Sequence, residues 1–211
     1  MLHKEAVEPS TLELLIELQG KDYLKDFHLV GDTALALKMG HRKSVDLDLF
    51  SNFDFDAGYI LENLTVDFQF KLFFSSNNTL KGRIGPAEVD IIAHRYPLIR
   101  RPVELENITM LSVEDIAAMK LNAIAVSGQR SKDFIDVYYL LEKFSMKEMI
   151  SFYKEKYSQH NEVNILKSIT WFEDVDLADW PVLLEAPSLK WDSVKKRIVE
   201  STKKYINEAS H

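Results

Sequence analysis

Cysteine is absent from the 211-residue chain, and its absence removes a disulfide framework, a thiolate metal site and a cysteine nucleophile together. Apolar runs of bilayer length are missing too: the densest stretches, such as residues 33–39, are short and amphipathic. The first ten residues carry Glu5, Glu8 and Pro9 and no apolar core, so a secretory signal is not expected. Internal repeats, low-complexity segments and Gly/Ser linkers are lacking as well. Positive charge is in deficit, with a formal net charge of −7. That excludes a broad nucleic-acid coat, which rests on many Lys and Arg neutralising phosphates, and leaves room for a local basic patch. A soluble, cytoplasmic protein with one large domain or two small ones is expected, long enough to bury a core without bridges.

The order of elements is informative. Pro9 and Gly20 bracket a helix with Leu12, Leu15 and Ile16 on one face. A strand over 27–30 runs into Gly31 and Asp32, and a short helix over 33–39 stops at Gly40. The segment 45–50 alternates as a strand. A helix over 57–64 follows, then strands over 67–74, 79–84 and 88–93. From Ser112 onward the periodicity is helical: Ser112 with Asp115, Ser131, and Ser145 with Glu148 mark three helix starts. Further helices are expected over 162–170 and after Asp192, with an acidic loop over 172–187 between them. The chain reads as an α+β domain over residues 1–111 followed by a helical region over 112–211.

Asp46 and Asp48 lie two apart in the alternating strand, so their carboxylates leave one face while Val45, Leu47 and Leu49 are expected in the core. Paired carboxylates repel, and a hard cation such as Mg2+ compensates; a solvated polar strand face has the same spacing. Gly31 sits where a strand becomes a helix, a turn that exposes backbone N–H groups to phosphate oxygens. Asp90 is embedded in an apolar strand and needs a partner. A metal, an acceptor hydroxyl, or a salt bridge to Arg83 or Arg95 would each serve. Asp133 and Asp136 are neighbours on one helix face. Lys120, among Ala117, Ala118, Leu121 and Ile124, either snorkels outward or meets an anion.

Four segments together resemble a known family. They are Leu29-Val30-Gly31-Asp32-Thr33-Ala34-Leu35-Ala36-Leu37, the run from Gly40 through Asp46 and Asp48 to Phe50, the run from Asp115 through Lys120 to Ile124, and Lys132-Asp133-Phe134-Ile135-Asp136. The chain is similar, up to about Leu141, to the AbiEii/AbiGii toxin-type nucleotidyltransferases of the polymerase β-like superfamily. The resemblance implies a mixed sheet with flanking helices. It implies Gly31, Asp32 and Thr33 beside the nucleotide, Asp46 and Asp48 on magnesium, and Asp90 as third carboxylate. Lys120, Asp133 and Asp136 then complete the site from the helical half. The expected activity is transfer of a nucleoside monophosphate from an NTP to an acceptor hydroxyl. RNA, with tRNA among the candidates, is the implied acceptor, and an antitoxin protein the implied partner.

Asp32 departs from the family, which usually has a second small residue after the glycine. Its carboxylate either caps the following helix or repels the triphosphate. The second outcome favours a non-catalytic protein that binds a nucleotide or a partner. A metal-dependent phosphodiesterase would use similar carboxylates without needing the Gly31 cradle. His41, Arg42 and Lys43, with Arg130 and Lys132, read as a small basic rim or a solvated loop. His94, His160 and His211 have no metal-ligand spacing, and Trp171, Trp180 and Trp191 read as packing residues.

Overall fold

A computed structural model describes residues 1–159 and 162–209. His160 and His211 lie outside the described residues. The chain divides into two compact units, Met1–Ser112 and Val113–His211. No helix among the described residues is long and apolar enough to cross a membrane.

The first unit opens on helix α1 (Pro9–Gln19), with proline at its first position and Gly20 closing it. The two-residue strand β1 (His28–Leu29) leads into α2 (Gly31–Met39), which stops at Gly40 in the left-handed conformation. Strand β2 (Leu47–Ser51) and helix α3 (Ala57–Phe68) follow, then β3 (Lys71–Ser76), β4 (Thr79–Ile84), β5 (Ala87–Ala93), β6 (Val103–Leu105) and β7 (Ile108–Met110). These strands form one seven-stranded sheet in the order β3-β4-β5-β2-β1-β7-β6. The sheet is mixed: β2 runs parallel to β5 and β1 parallel to β7, and the remaining neighbours are antiparallel.

Alternation places the core. Leu47, Leu49 and Ser51 are buried in β2, and Ala87, Val89 and Ile91 in β5, while Asp48 and Asp90 on the opposite face remain half-buried. Gln19, at the end of α1, holds β7 twice: its amide donates to the Thr109 carbonyl at 2.8 Å and accepts from the Thr109 N–H at 2.9 Å. The short pair β6 and β7 was not expected from the sequence. Asp67, assigned there to a strand, closes out α3, because that helix continues to Phe68 and ends at Gln69 with φ 55°.

The described elements of the second unit are helices, α4 (Val113–Val126), α5 (Ser131–Lys143), α6 (Met146–Tyr157), α7 (Val163–Ile169) and α8 (Trp191–Ala209), with the expected non-helical stretch between α7 and α8. Helix α4 packs against α5, α6 and α7, and α8 against α5 and α6. Ser145 and Glu148 form the capping box expected before α6. Ser131 is not a cap. It stands inside the first turn of α5, Arg130 occupies the cap position, and the Ser131 hydroxyl is buried without a hydrogen-bond partner among the described residues. Around Trp191 the rings of Phe134, Phe172 and Trp180 gather edge-on, at centroid distances of 5.7, 5.6 and 6.3 Å. Trp180 and Trp191 thus pack as expected. Trp171 does not: it is 57% exposed.

Candidate active site

In the first unit the site grows from the junction of β1 and α2. Val30 is extended, with its N–H donating to the Asp48 carbonyl at 2.9 Å, and the chain then turns into helix at Gly31 with φ 66°. Side-chain-bearing residues pay about 1–2 kcal/mol for that backbone. Space forbids them as well, since a Cβ on Gly31 would lie 2.6 Å from Asp48 Oδ2. The Asp48 carboxylate therefore lies against the N-terminal turn of α2, where backbone N–H groups lack helical partners.

Thr33 is fully buried, and its hydroxyl hydrogen-bonds the Ser44 hydroxyl at 2.8 Å and the backbone carbonyl of Asp46. The side chain thus pins the segment that presents Asp46. That segment precedes the strand: Asp46 lies one residue before β2, half-buried, and Val45 is 55% exposed where a core position was expected. The alternation breaks because, among the described residues, the chain just before Leu47 joins no strand ladder; Ser44 there forms an isolated parallel bridge with Val7.

Asp90 stands directly beside Asp48 in the parallel register of β2 and β5, on the same face. Its carboxylate forms an ion pair with Lys81, opposite it on β4. Neither arginine weighed in the sequence is its salt-bridge partner. Arg95 pairs with Asp54 at 3.1 Å, and Arg83 faces Glu88 in the β4–β5 register. Asp48 and Asp90 share one half-exposed sheet face and offer oxygen donors, the type a hard cation takes; with Asp46 they are not gathered closely enough to form a three-carboxylate cation group among the described residues.

Asp32 is not the expected cap. The cap position of α2 belongs to Val30, and Asp32 is in the first turn, 4% exposed, with Oδ2 3.2 Å from Nη2 of the equally buried Arg42. A guanidinium beside the carboxylate offsets its charge. His41 and Arg42 are both buried, so the expected basic rim loses two of its members. No local signal in the sequence joins Asp32 to a residue ten positions on.

In the second unit Lys120 is buried on α4 and meets an anion rather than snorkelling. Its ammonium lies 2.7 Å from Asp133 Oδ1 and 2.7 Å from Asp136 Oδ2, the two carboxylates that α5 presents one turn apart. Arg130 approaches Asp133 at 3.8 Å. A second ion pair went unforeseen: Lys156 donates to Asp115 at 2.7 Å, and both side chains are fully buried. Its signal was available, because Lys156 continues the buried face of α6 defined by Met149, Ile150, Tyr153 and Tyr157.

The family described as nucleotidyl transferase AbiEii toxin, of type IV toxin–antitoxin systems, matches residues 65–209. That stretch takes in Asp90, Lys120, Asp133 and Asp136 and leaves out Gly31, Asp46 and Asp48. An uncharacterized protein of Aquifex aeolicus (strain VF5) is 30% identical over 187 residues, covering 86% of this chain and 88% of its own. Among solved structures, JHP933 from Helicobacter pylori is similar at TM-score 0.55 and 17% identity, covering 97% of each chain. MenT4, a nucleotidyltransferase toxin from Mycobacterium tuberculosis H37Rv, is similar at TM-score 0.55 and 16% identity, over 91% of this chain and 82% of that one. These two likenesses concern the fold, which is that of nucleotidyltransferase structures.

Proposed function

Since the chain belongs to the nucleotidyl transferase AbiEii toxin family, we propose that it transfers the nucleoside monophosphate of an NTP to an acceptor hydroxyl on RNA, acting as the toxin of a toxin–antitoxin pair in the cytoplasm. The observation that carries this reading is the Gly31 turn, closed by φ 66° and by the Asp48 carboxylate, with Asp90 in register on the next strand. A nine-residue helix begins at that turn, and the positive end of its dipole suits phosphate oxygens.

Asp46 and Asp48 would hold Mg2+, with Asp90 the third carboxylate. When bound, the metal supplies positive charge against the phosphates and favours deprotonation of the attacking hydroxyl. The acceptor oxygen bonds to the α-phosphorus as the bond to pyrophosphate breaks, and the hydroxyl proton passes to a carboxylate of the set. Thr33 positions Asp46 through its backbone carbonyl. We assign Asp32 to the support of this turn through Arg42. Lys120, Asp133 and Asp136 are proposed to serve the nucleotide from the helical unit. Asp32 was the sequence feature favouring a non-catalytic nucleotide-binding protein. Paired with Arg42, it counts less against a triphosphate.

The test is pyrophosphate release with each NTP, Mg2+ and total RNA. Asp46→Asn and Asp48→Asn are each expected to reduce release to background with melting temperatures unchanged, because both side chains are half-exposed and outside the core. Wild-type rates in both variants would remove the metal assignment.

A further inference from the structure

Between the C-terminal end of α4 and the end of α7, wholly within the second unit, lies an open cavity of about 500 Å3. Small-molecule sites run from about 300 to 1,000 Å3. Its walls include Trp171, Lys167, Ser168, Ser127, Gly128 and Asp174. Neither the carboxylate site nor the fold explains this set. The other two tryptophans are gathered in the ring cluster around Trp191, whereas Trp171 is 57% exposed. Nor is the ring loose: its indole N–H donates to Asp174 Oδ2 at 2.8 Å, and its backbone N–H to the Ser168 carbonyl at 3.2 Å.

An immobilised, solvent-facing indole is a stacking platform, and every nucleobase offers it a π-face. Beside it, Lys167 is exposed and can meet a phosphate. The hydroxyls of Ser127 and Ser168 and the carboxylate of Asp174 offer donors and acceptors to a base edge. Asp174 disfavours a phosphate against its own wall, so the neutral base goes toward Trp171 and the charged group toward Lys167. We propose that this cavity is a nucleobase-binding subsite, stacking a base on Trp171 with an adjoining phosphate at Lys167. The inference rests on the transferase reading, since that reaction presents nucleobases from two sources, the acceptor RNA and the NTP.

The full chain is titrated in two arms: a fluorescein-labelled single-stranded RNA hexamer followed by anisotropy, and each NTP with Mg2+ followed by calorimetry. Trp171→Ala is expected to weaken binding roughly 5- to 100-fold in one arm, and Trp171→Phe to retain most of it. Loss in the RNA arm assigns the subsite to the acceptor, and loss in the NTP arm to the donor. Lys167→Glu, an exposed change that leaves the fold intact, is expected to weaken the same arm. Wild-type binding by either Trp171→Ala or Lys167→Glu in both arms overturns the proposal, as does a wild-type chain that binds neither probe. Pyrophosphate release by the wild type is measured separately. Its absence removes the transferase reading alone, because the binding arms require no turnover.

Discussion

At Gly31 a backbone demand and a spatial one fall on the same atom. Gly31→Ala must adopt φ 66° with a methyl group 2.6 Å from Asp48 Oδ2. The conformation alone costs about 1–2 kcal/mol, and the crowding displaces the carboxylate assigned to the metal. A lowered melting temperature with transfer reduced beyond what the unfolded fraction explains is expected; wild-type transfer would show that the turn tolerates a side chain. The buried pair of Asp32 and Arg42 behaves differently. Removing one partner takes a counter-charge from a buried group, so Asp32→Ala and Arg42→Met are each expected to destabilise, by up to about 3–5 kcal/mol. The double variant should cost clearly less than their sum, as chemical denaturation of a mutant cycle would reveal. Additive losses would mean that the two charges do not stabilise one another. Sequence made Gly31 legible because a glycine at a strand-to-helix turn has a local signature. Asp32 was misread as a cap, and its pairing with Arg42 was not legible, since that partner is fixed only when the 40–46 loop folds back.

Among the elements, those with local punctuation were readable: α1 between Pro9 and Gly20, and α6 behind its capping box. Helix α3 outran its expected end because Gln69, a non-glycine residue in the left-handed conformation, gives no sequence warning. Strands β6 and β7 have three residues each, too few for a period-two pattern, and their pairing depends on β1. Three helices meet at Glu162, which precedes α7. Lys154 of α6 forms an ion pair with it, and Tyr205 of α8 donates to it at 2.7 Å. Those bonds, Lys154 first and then Tyr205, hold its carboxyl below the ordinary value. Burial, followed by the same hydrogen bond, pushes the Tyr205 phenol up to about 12. A depressed carboxyl stabilises the fold above its unfolded pKa, about 4.3, and loses that contribution as pH falls through the lower folded value. Glu162→Gln is therefore expected to lower the melting temperature at pH 7 and to match wild type at the acid end of the scan. An equal deficit at every pH would assign Glu162 a role independent of its charge.

For the whole chain, a net charge of −7 limits how many RNA phosphates it can neutralise. Binding of single-stranded RNA is expected to have a log–log salt slope shallower than about −2, since each neutralised phosphate contributes roughly −0.7. A much steeper slope would point to a basic surface that the composition does not suggest. Asp133 and Asp136 were legible as neighbours on one helix face from their spacing, whereas the place of Lys120 beside them came from the family resemblance, and Asp46 was misplaced inside the strand. Ion-pair partners elsewhere were less legible: Lys81 reaches Asp90 only through strand register, and Lys156 reaches Asp115 only through the packing of α6 on α4. The most direct measurement is the mass of the acceptor. RNA incubated with the wild-type protein, Mg2+ and each NTP in turn is digested and weighed by mass spectrometry. The expected product is RNA heavier by one or more nucleoside monophosphates, with pyrophosphate released in equal number and neither product formed by Asp48→Asn. RNA of unchanged mass with every NTP, or the same increments from Asp48→Asn, would contradict it.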